Sequence, residues 1–444
     1  MKSNDAIIKE IYTYYIFLFI AFAILKSDLM PPLHNAFLEV FMWILGFLVS
    51  LKTVNSTRKN IVLGVLIFQC LGVIVMSLIN IKFYDEVLGG NAVDALLYRD
   101  FGESYGHLDI LQFLISLLAL DTGFDDLGFP TIIWFAYHYF SSYGYCMLLA
   151  INILVITFGS NLLYKFSSFF VPEQYCKLIA LLWGTMPFAI TTATGGLKEN
   201  IFAFLVLCTF YSFHVYYKNR HLVSFIIGII FSFVLFFFRL SLGFAAVLCA
   251  IVYLCISTNF VRKNIKVIIN TSLLISILVF PVVMSFMAQQ RGVSDSRFIT
   301  SVAQMEEADS GIFGFFINAL SAVIGPFPNY IASDEIKANY ITIYSFSPFL
   351  KMILSLYFLK AIWFTYKYKV YDNISIIVYV LTNILMLVVA FFGLNIRLHW
   401  PVMPLYFIIS VWGYYTTCKN NRSFRSSKFY FVLMFILIVI YNLR

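Results

Sequence analysis

Charge is what this chain has least of. Asp, Glu, Lys and Arg make up only 12% of its 444 residues. A soluble chain carries about a quarter charged residues, so no water-facing surface of this size can be assembled here. The motifs of common soluble catalysts are missing as well. There is no Walker A sequence, no HExxH and no GxSxG, which removes an ATPase, a zinc protease and an α/β-hydrolase from consideration. The seven cysteines contain no CxxC pair, so neither a zinc nor a redox site is expected. Cys70, Cys146, Cys208, Cys249 and Cys255 sit inside apolar runs, where cysteine behaves as a small hydrophobe. His107 and His138 have no second histidine at ligand spacing, so no metal and no cofactor are expected.

Apolar and aromatic residues fill the space that charge leaves. Hydrophobic residues reach 61%, with 49 Phe and 29 Tyr, and the mean hydropathy is +0.88. Apolar runs that approach or cross a bilayer core recur near 11–25, 36–51, 61–81, 143–162, 178–193, 201–217, 222–238, 241–257, 267–287, 347–366, 374–394, 401–417 and 429–443. The expected fold is all-α: one polytopic transmembrane bundle spanning residues 1–444, with about 11–14 spans. Asp5 and Glu10 beside Lys2 and Lys9 make a poor signal-peptide leader, so the first run reads as an uncleaved span.

The basic residues give the sidedness. With a cytoplasmic N-terminus, Lys52, Arg58 and Lys59, then Lys165 and Lys177, Lys218 and Arg220, Arg262, Lys263 and Lys266, Lys367 and Lys369, and Lys419 through Lys428 all fall in cytoplasmic loops. Asp85, Glu86, Asp94, Asp100, Glu103, Asp109, Asp121, Asp125 and Asp126 fall outside. Two outer segments, about 82–130 and about 288–348, are too long to be mere connections. The first contains an amphipathic stretch, Leu108 to Leu120, that reads as interfacial. The second contains Ile312 to Phe327, which reads as re-entrant or interfacial, because a span there would invert the charge pattern of every later loop.

The densest polar cluster lies in the first outer loop, from Gly89-Gly90-Asn91 to Arg99-Asp100. If Asp94 to Tyr98 is helical, carboxylate and phenol share a face. The cluster is either a solvated loop or a catalytic one, with Asp94 as general base, helped or replaced by Asp100 or Glu103. Lys198 and Glu199 follow Gly195-Gly196-Leu197 in a turn with almost no loop to spare, and Arg239 occupies a corresponding turn. A charge at bilayer depth costs about 2.5–3.5 kcal/mol or more, so it is paired or functional. For Arg239 the alternatives are snorkelling to lipid phosphates and a structural pair with Glu199. A third cluster, Arg397-Leu398-His399-Trp400-Pro401 with Pro404 beyond, is either a substrate site or an interfacial Arg/Trp belt. Arg291 and Arg297 add cations in the second outer loop. Several outer cations converging on one cavity would suit a diphosphate, since Arg grips phosphate oxygens through two bonds at once.

This layout resembles the Wzy-type repeat-unit polymerases of O-antigen and capsule synthesis and, more distantly, the GT-C glycosyltransferases. Asp94 with Tyr98 resembles the acidic first outer loop of GT-C enzymes. Gly196-Leu197-Lys198-Glu199 resembles a Lys-Glu motif between spans of related polymerases, and Arg397 to Pro401 with Pro404 resembles their late Arg-x-x-x-Pro segment. The first outer loop departs from the GT-C pattern: it lacks the paired adjacent acids of some members and follows the third span rather than the first. The resemblance implies a bacterial inner-membrane glycosyltransferase that polymerises polyprenyl-diphosphate-linked oligosaccharides at the outer face. Asp94, Asp100 and Glu103 would be the candidate catalytic acids. Tyr98, Lys198, Glu199, Arg239, Arg291, Arg297, Arg397 and His399 would bind substrate. The implied partners are the lipid-linked glycans, the bilayer, a flippase and a chain-length regulator, with no nucleic acid. The rival readings are a flippase or transporter of lipid-linked oligosaccharide and a GT-C transferase using a polyprenyl-monophosphate sugar.

Overall fold

The computed structural model describes residues 44–85, 87–88, 93–119, 127–239, 347–368, 396–419 and most of 429–438, with isolated positions between them. Among these residues the chain is all-α. The expected spans 11–25 and 267–287, nearly all of 374–394 and nearly all of the outer segment 288–348, with its Arg291 and Arg297, lie outside the described residues.

Helix α1 (Ile44–Thr53) leads into α2 (Arg58–Tyr84), which stops where Asp85 turns left-handed at φ 53 and its N–H bonds Ile81 O. The first segment expected at the outer face is helical where described, as α3 (Val93–Tyr105) and α4 (Ile110–Ala119). The described part of α4 is ten residues, about 15 Å at about 1.5 Å rise per residue. Helix α4 buries Phe113 and Leu117 against Trp134 and leaves Ile110, Leu111 and Ile115 exposed. Helix α5 (Gly128–Phe140) passes through a 3-10 turn at Ser141–Tyr143 into α6 (Gly144–Ser167).

The run expected as one span at 178–193 is broken into α7 (Glu173–Gly184) and α8 (Pro187–Thr194). Pro187 has no N–H to return to the preceding turn, so the helix must stop before it. The carbonyl of Gly184, released by that break, accepts a bond of 2.8 Å from the buried Gln69 of α2. A polar side chain inside an apolar helix is thereby explained by the proline that opens α8. Helices α9 (Glu199–Asn219) and α10 (Leu222–Phe238) follow as a hairpin; then come α11 (Ser347–Tyr368), the short α12 (Ile396–His399), a 3-10 turn at Trp400–Val402 and α13 (Met403–Lys419).

Among the described residues, four stretches are long and apolar enough to cross a membrane: Arg58–Lys82, the continuous Gly128–Ser167, Glu173–Thr194 across its break, and Glu199–Asn219. Helix α2 shows what such a membrane would cover. Ile61, Val65 and Phe68 are buried, while Leu63, Ile67, Leu71, Ile74 and Leu78 form an exposed stripe at helical spacing. Helices α11 and α13 pack closely at Gly413. A Cβ on Gly413 would stand 2.1 Å from the Tyr357 carbonyl oxygen, so the two backbones touch there.

Helix direction sorts the charges to two ends. Arg58 opens α2 with its guanidinium over the Tyr164 ring, beside Lys165 at the close of α6. Helices α9, α11 and α13 likewise close on Lys218, Lys367 and Lys419. The opposite end holds the α3 segment, the α8–α9 turn and α12.

Candidate functional site

The turn between α8 and α9 is built by glycine. Gly196 is left-handed at φ +58, a conformation costly for residues with a Cβ. It lets Gly195, Gly196 and Leu197 bond back to Thr191, Ala193 and Thr192 within the last turn of α8. Helix α9 then begins at once, with Lys198 as its N-cap and Glu199 in its first turn, where the helix dipole favours a carboxylate. Asn200, fully buried, receives Thr192 Oγ1 at 3.0 Å and Trp400 Nε1 at 2.9 Å on its Oδ1 and donates to Ala189 O at 3.0 Å.

Trp400 is the peg that locates α12. Its ring is buried, stacked on Trp183 with centroids 4.7 Å apart, and it also contacts Phe188 at 4.9 Å. An interfacial belt would leave this Trp at a membrane–water boundary, and its burial among α7, α8 and α9 is incompatible with that role. We expect Asn200→Leu to orphan the indole N–H of Trp400 and to cost about 1–3 kcal/mol, while Thr192 keeps its bond to Phe188 O. A thermal unfolding midpoint equal to wild type in detergent would show that Asn200 anchors nothing.

With Trp400 seated, Arg397 falls between two acids. Its Nε donates to Glu199 Oε1 and its Nη1 to Asp94 Oδ2, the latter at 2.5 Å. The two partners are 198 and 303 residues away in sequence. The Arg397 side chain is 14% exposed, Glu199 6% and Asp94 29%, so Glu199 is enclosed whereas Asp94 still faces outward. Glu199 Oε2 is buried without a hydrogen-bond partner among the described residues. The expected alternative of a Glu199–Arg239 pair is replaced by Glu199–Arg397. Arg239 itself caps α10 at the same end, following Phe238, whose ring meets Phe202.

Tyr98 stands one turn after Asp94, as its spacing predicts. Lys198 Nζ lies 5.9 Å from its ring and 5.7 Å from that of Phe202, within cation–π range. His399 is fully buried, and its Nδ1 is 2.5 Å from Lys351 Nζ of α11. Lys351 was not expected. Its only sequence signal is a lone lysine one turn inside an apolar run, the pattern that marks a functional or paired intramembrane charge.

The three candidate bases are separated. Asp100 is exposed and pairs with neighbouring Arg99 at 3.7 Å. Glu103 lies nine residues after Asp94, about 180° around α3. It faces a cavity of about 600 Å³ between α3, the α5–α6 junction and the segment after α2. Of the three, Asp94 alone is bonded to Arg397. His107 and His138 both line that cavity, and among the described residues no three His, Cys, Asp or Glu side chains come together as a metal would require. Comparison of the chain with protein-family models, curated proteins and solved structures returns no match.

Proposed function

We propose that this chain is a multi-pass glycosyltransferase of the bacterial inner membrane that joins polyprenyl-diphosphate-linked oligosaccharide units at the outer face. The observation that carries the reading is Arg397 held between Asp94 and Glu199, with Lys198 on the neighbouring residue. A buried ion pair is poor value for stability, since desolvation offsets most of the attraction. Three sequence-distant segments converging on one such cluster are therefore better explained by chemistry than by folding. In this mechanism a hydroxyl of the incoming repeat attacks the anomeric carbon of the growing chain. The carbon–oxygen bond to the diphosphate breaks as the new glycosidic bond forms. Asp94, the more exposed carboxylate, takes the hydroxyl proton. Glu199 holds Arg397, and Arg397 and Lys198, with Arg239, Arg291 and Arg297, stabilise the negative charge growing on the diphosphate.

The second reading, a flippase, draws on Lys351 and Lys360 of α11, cations within a helix that the sequence reads as a span. One experiment addresses both readings. Purified protein in proteoliposomes is given lipid-linked repeats, and products are resolved by size. A ladder is expected. Translocation without any elongation would favour the flippase, and a single added sugar would favour a monophosphate-dependent transferase. Reporter fusions at Gly106 and after Lys59 should read outside and cytoplasmic respectively, and the reverse would place the cluster in the wrong compartment.

A further inference from the structure

We infer that the cavity beside α3 is a binding site for a neutral, hydroxyl-rich glycan, the part of the incoming repeat remote from its reacting hydroxyl. This assignment of its role rests on the glycosyltransferase reading. The cavity, about 600 Å³, falls within the range of about 300–1,000 Å³ of small-molecule sites. Arg99, Glu103 and His107 enter it from α3 and the turn that follows, at four-residue spacing, as one face of a helix presents them. Opposite stand Tyr145 and Ser142, while Tyr137, 8% exposed, packs its ring on Gly102 and Gly144. The chemistry matches a sugar on three counts. Tyr145, partly buried, offers apolar aromatic surface to C–H faces. Arg99 supplies paired donors and Glu103 paired acceptors, which suit adjacent hydroxyls. The two opposite charges leave no excess of cation to select a polyanion, unlike the Arg397 and Lys198 cluster.

The two sites are joined. Tyr145 lines the cavity, its hydroxyl donates to Thr194 O at the end of α8, and its ring packs with Ala95 and Leu197, neighbours in sequence of Asp94 and Lys198. A glycan in the cavity would therefore end against the wall behind which the proposed transfer takes place. Helix α3 carries both functions, Asp94 on one face and Glu103 on the other.

The test uses the full chain in nanodiscs on an array of immobilised neutral and acidic oligosaccharides, with undecaprenyl diphosphate binding measured in parallel. Wild type should be retained on neutral glycans. Glu103→Gln, which keeps size, and Ser142→Trp, which fills the cavity, should each weaken retention at least tenfold while leaving undecaprenyl diphosphate binding unchanged. Arg397→Lys should do the opposite. Absence of neutral-glycan retention by wild type, retention confined to acidic glycans, or equal retention by Glu103→Gln would overturn the site. Should the glycan be retained through Glu103 while no polymer forms from any lipid-linked donor, the binding site stands and the transferase reading falls.

Discussion

Arg397→Ala is expected to eliminate polymer altogether. The substitution leaves Glu199 enclosed and Asp94 half-enclosed with no cation between them. Removing one partner of a buried pair costs about 3–5 kcal/mol, so some loss of abundance is expected too. Two further variants separate chemistry from folding. Arg397→Lys keeps the charge, but an ammonium on a flexible stem cannot supply two donors in the fixed fork that Nε and Nη1 present to the two acids. It should insert at near-normal abundance and still lose about 10²–10³ in rate, the scale of one preorganised donor. Arg397→Met combined with Glu199→Gln removes a positive and a negative charge together and should recover abundance relative to Arg397→Ala without recovering any ladder. A full ladder from Arg397→Lys, at normal abundance, would show that Arg397 is only a structural tie.

The class of the molecule was legible from composition because a lipid-facing surface must be apolar nearly all round, and α2 and α10 carry that surface openly. The Gly195-Gly196 turn was legible for the same kind of reason, since only a residue without Cβ fits Gly196 at φ +58. Pairing was not. Nothing in local sequence says that Arg397 belongs to Asp94 and Glu199 rather than Glu199 to Arg239, because each pair is chosen by how α12 docks, and that is decided by Trp400 entering a slot between α7, α8 and α9. Charge counting treats Trp400 as a boundary residue, yet its indole finds a buried acceptor in Asn200. Lys351 escaped for a related reason. One lysine dilutes into an apolar run, and its meaning depends on His399, 48 residues further along. The break at Pro187 could be read from proline alone, but the use of Gln69 to fill the vacated carbonyl could not.

Asp94→Asn carries the other large effect, and the contrast with its neighbours decides what it means. Asparagine keeps the size of the side chain and an oxygen to accept from Arg397, but it cannot take a proton at neutral pH. Loss of a general base lowers rate by about 10²–10⁴, so the ladder should collapse to single repeats while lipid-linked substrate still binds. Glu199→Gln should behave differently. Its carboxylate is enclosed at 6% exposure, so it cannot meet a hydroxyl directly, and its loss should act through a misplaced Arg397. It should therefore weaken undecaprenyl diphosphate binding, which Asp94→Asn leaves intact. Glu103→Gln should raise the KM for the acceptor and spare kcat, because Glu103 stands on the far face of α3. Asp100→Asn, exposed and paired only with its neighbour among the described contacts, should change little. If Asp94→Asn polymerises at the wild-type rate while Glu103→Gln loses kcat, the proton acceptor is in the cavity, and the Asp94–Arg397 bond serves to fix α3 against α12.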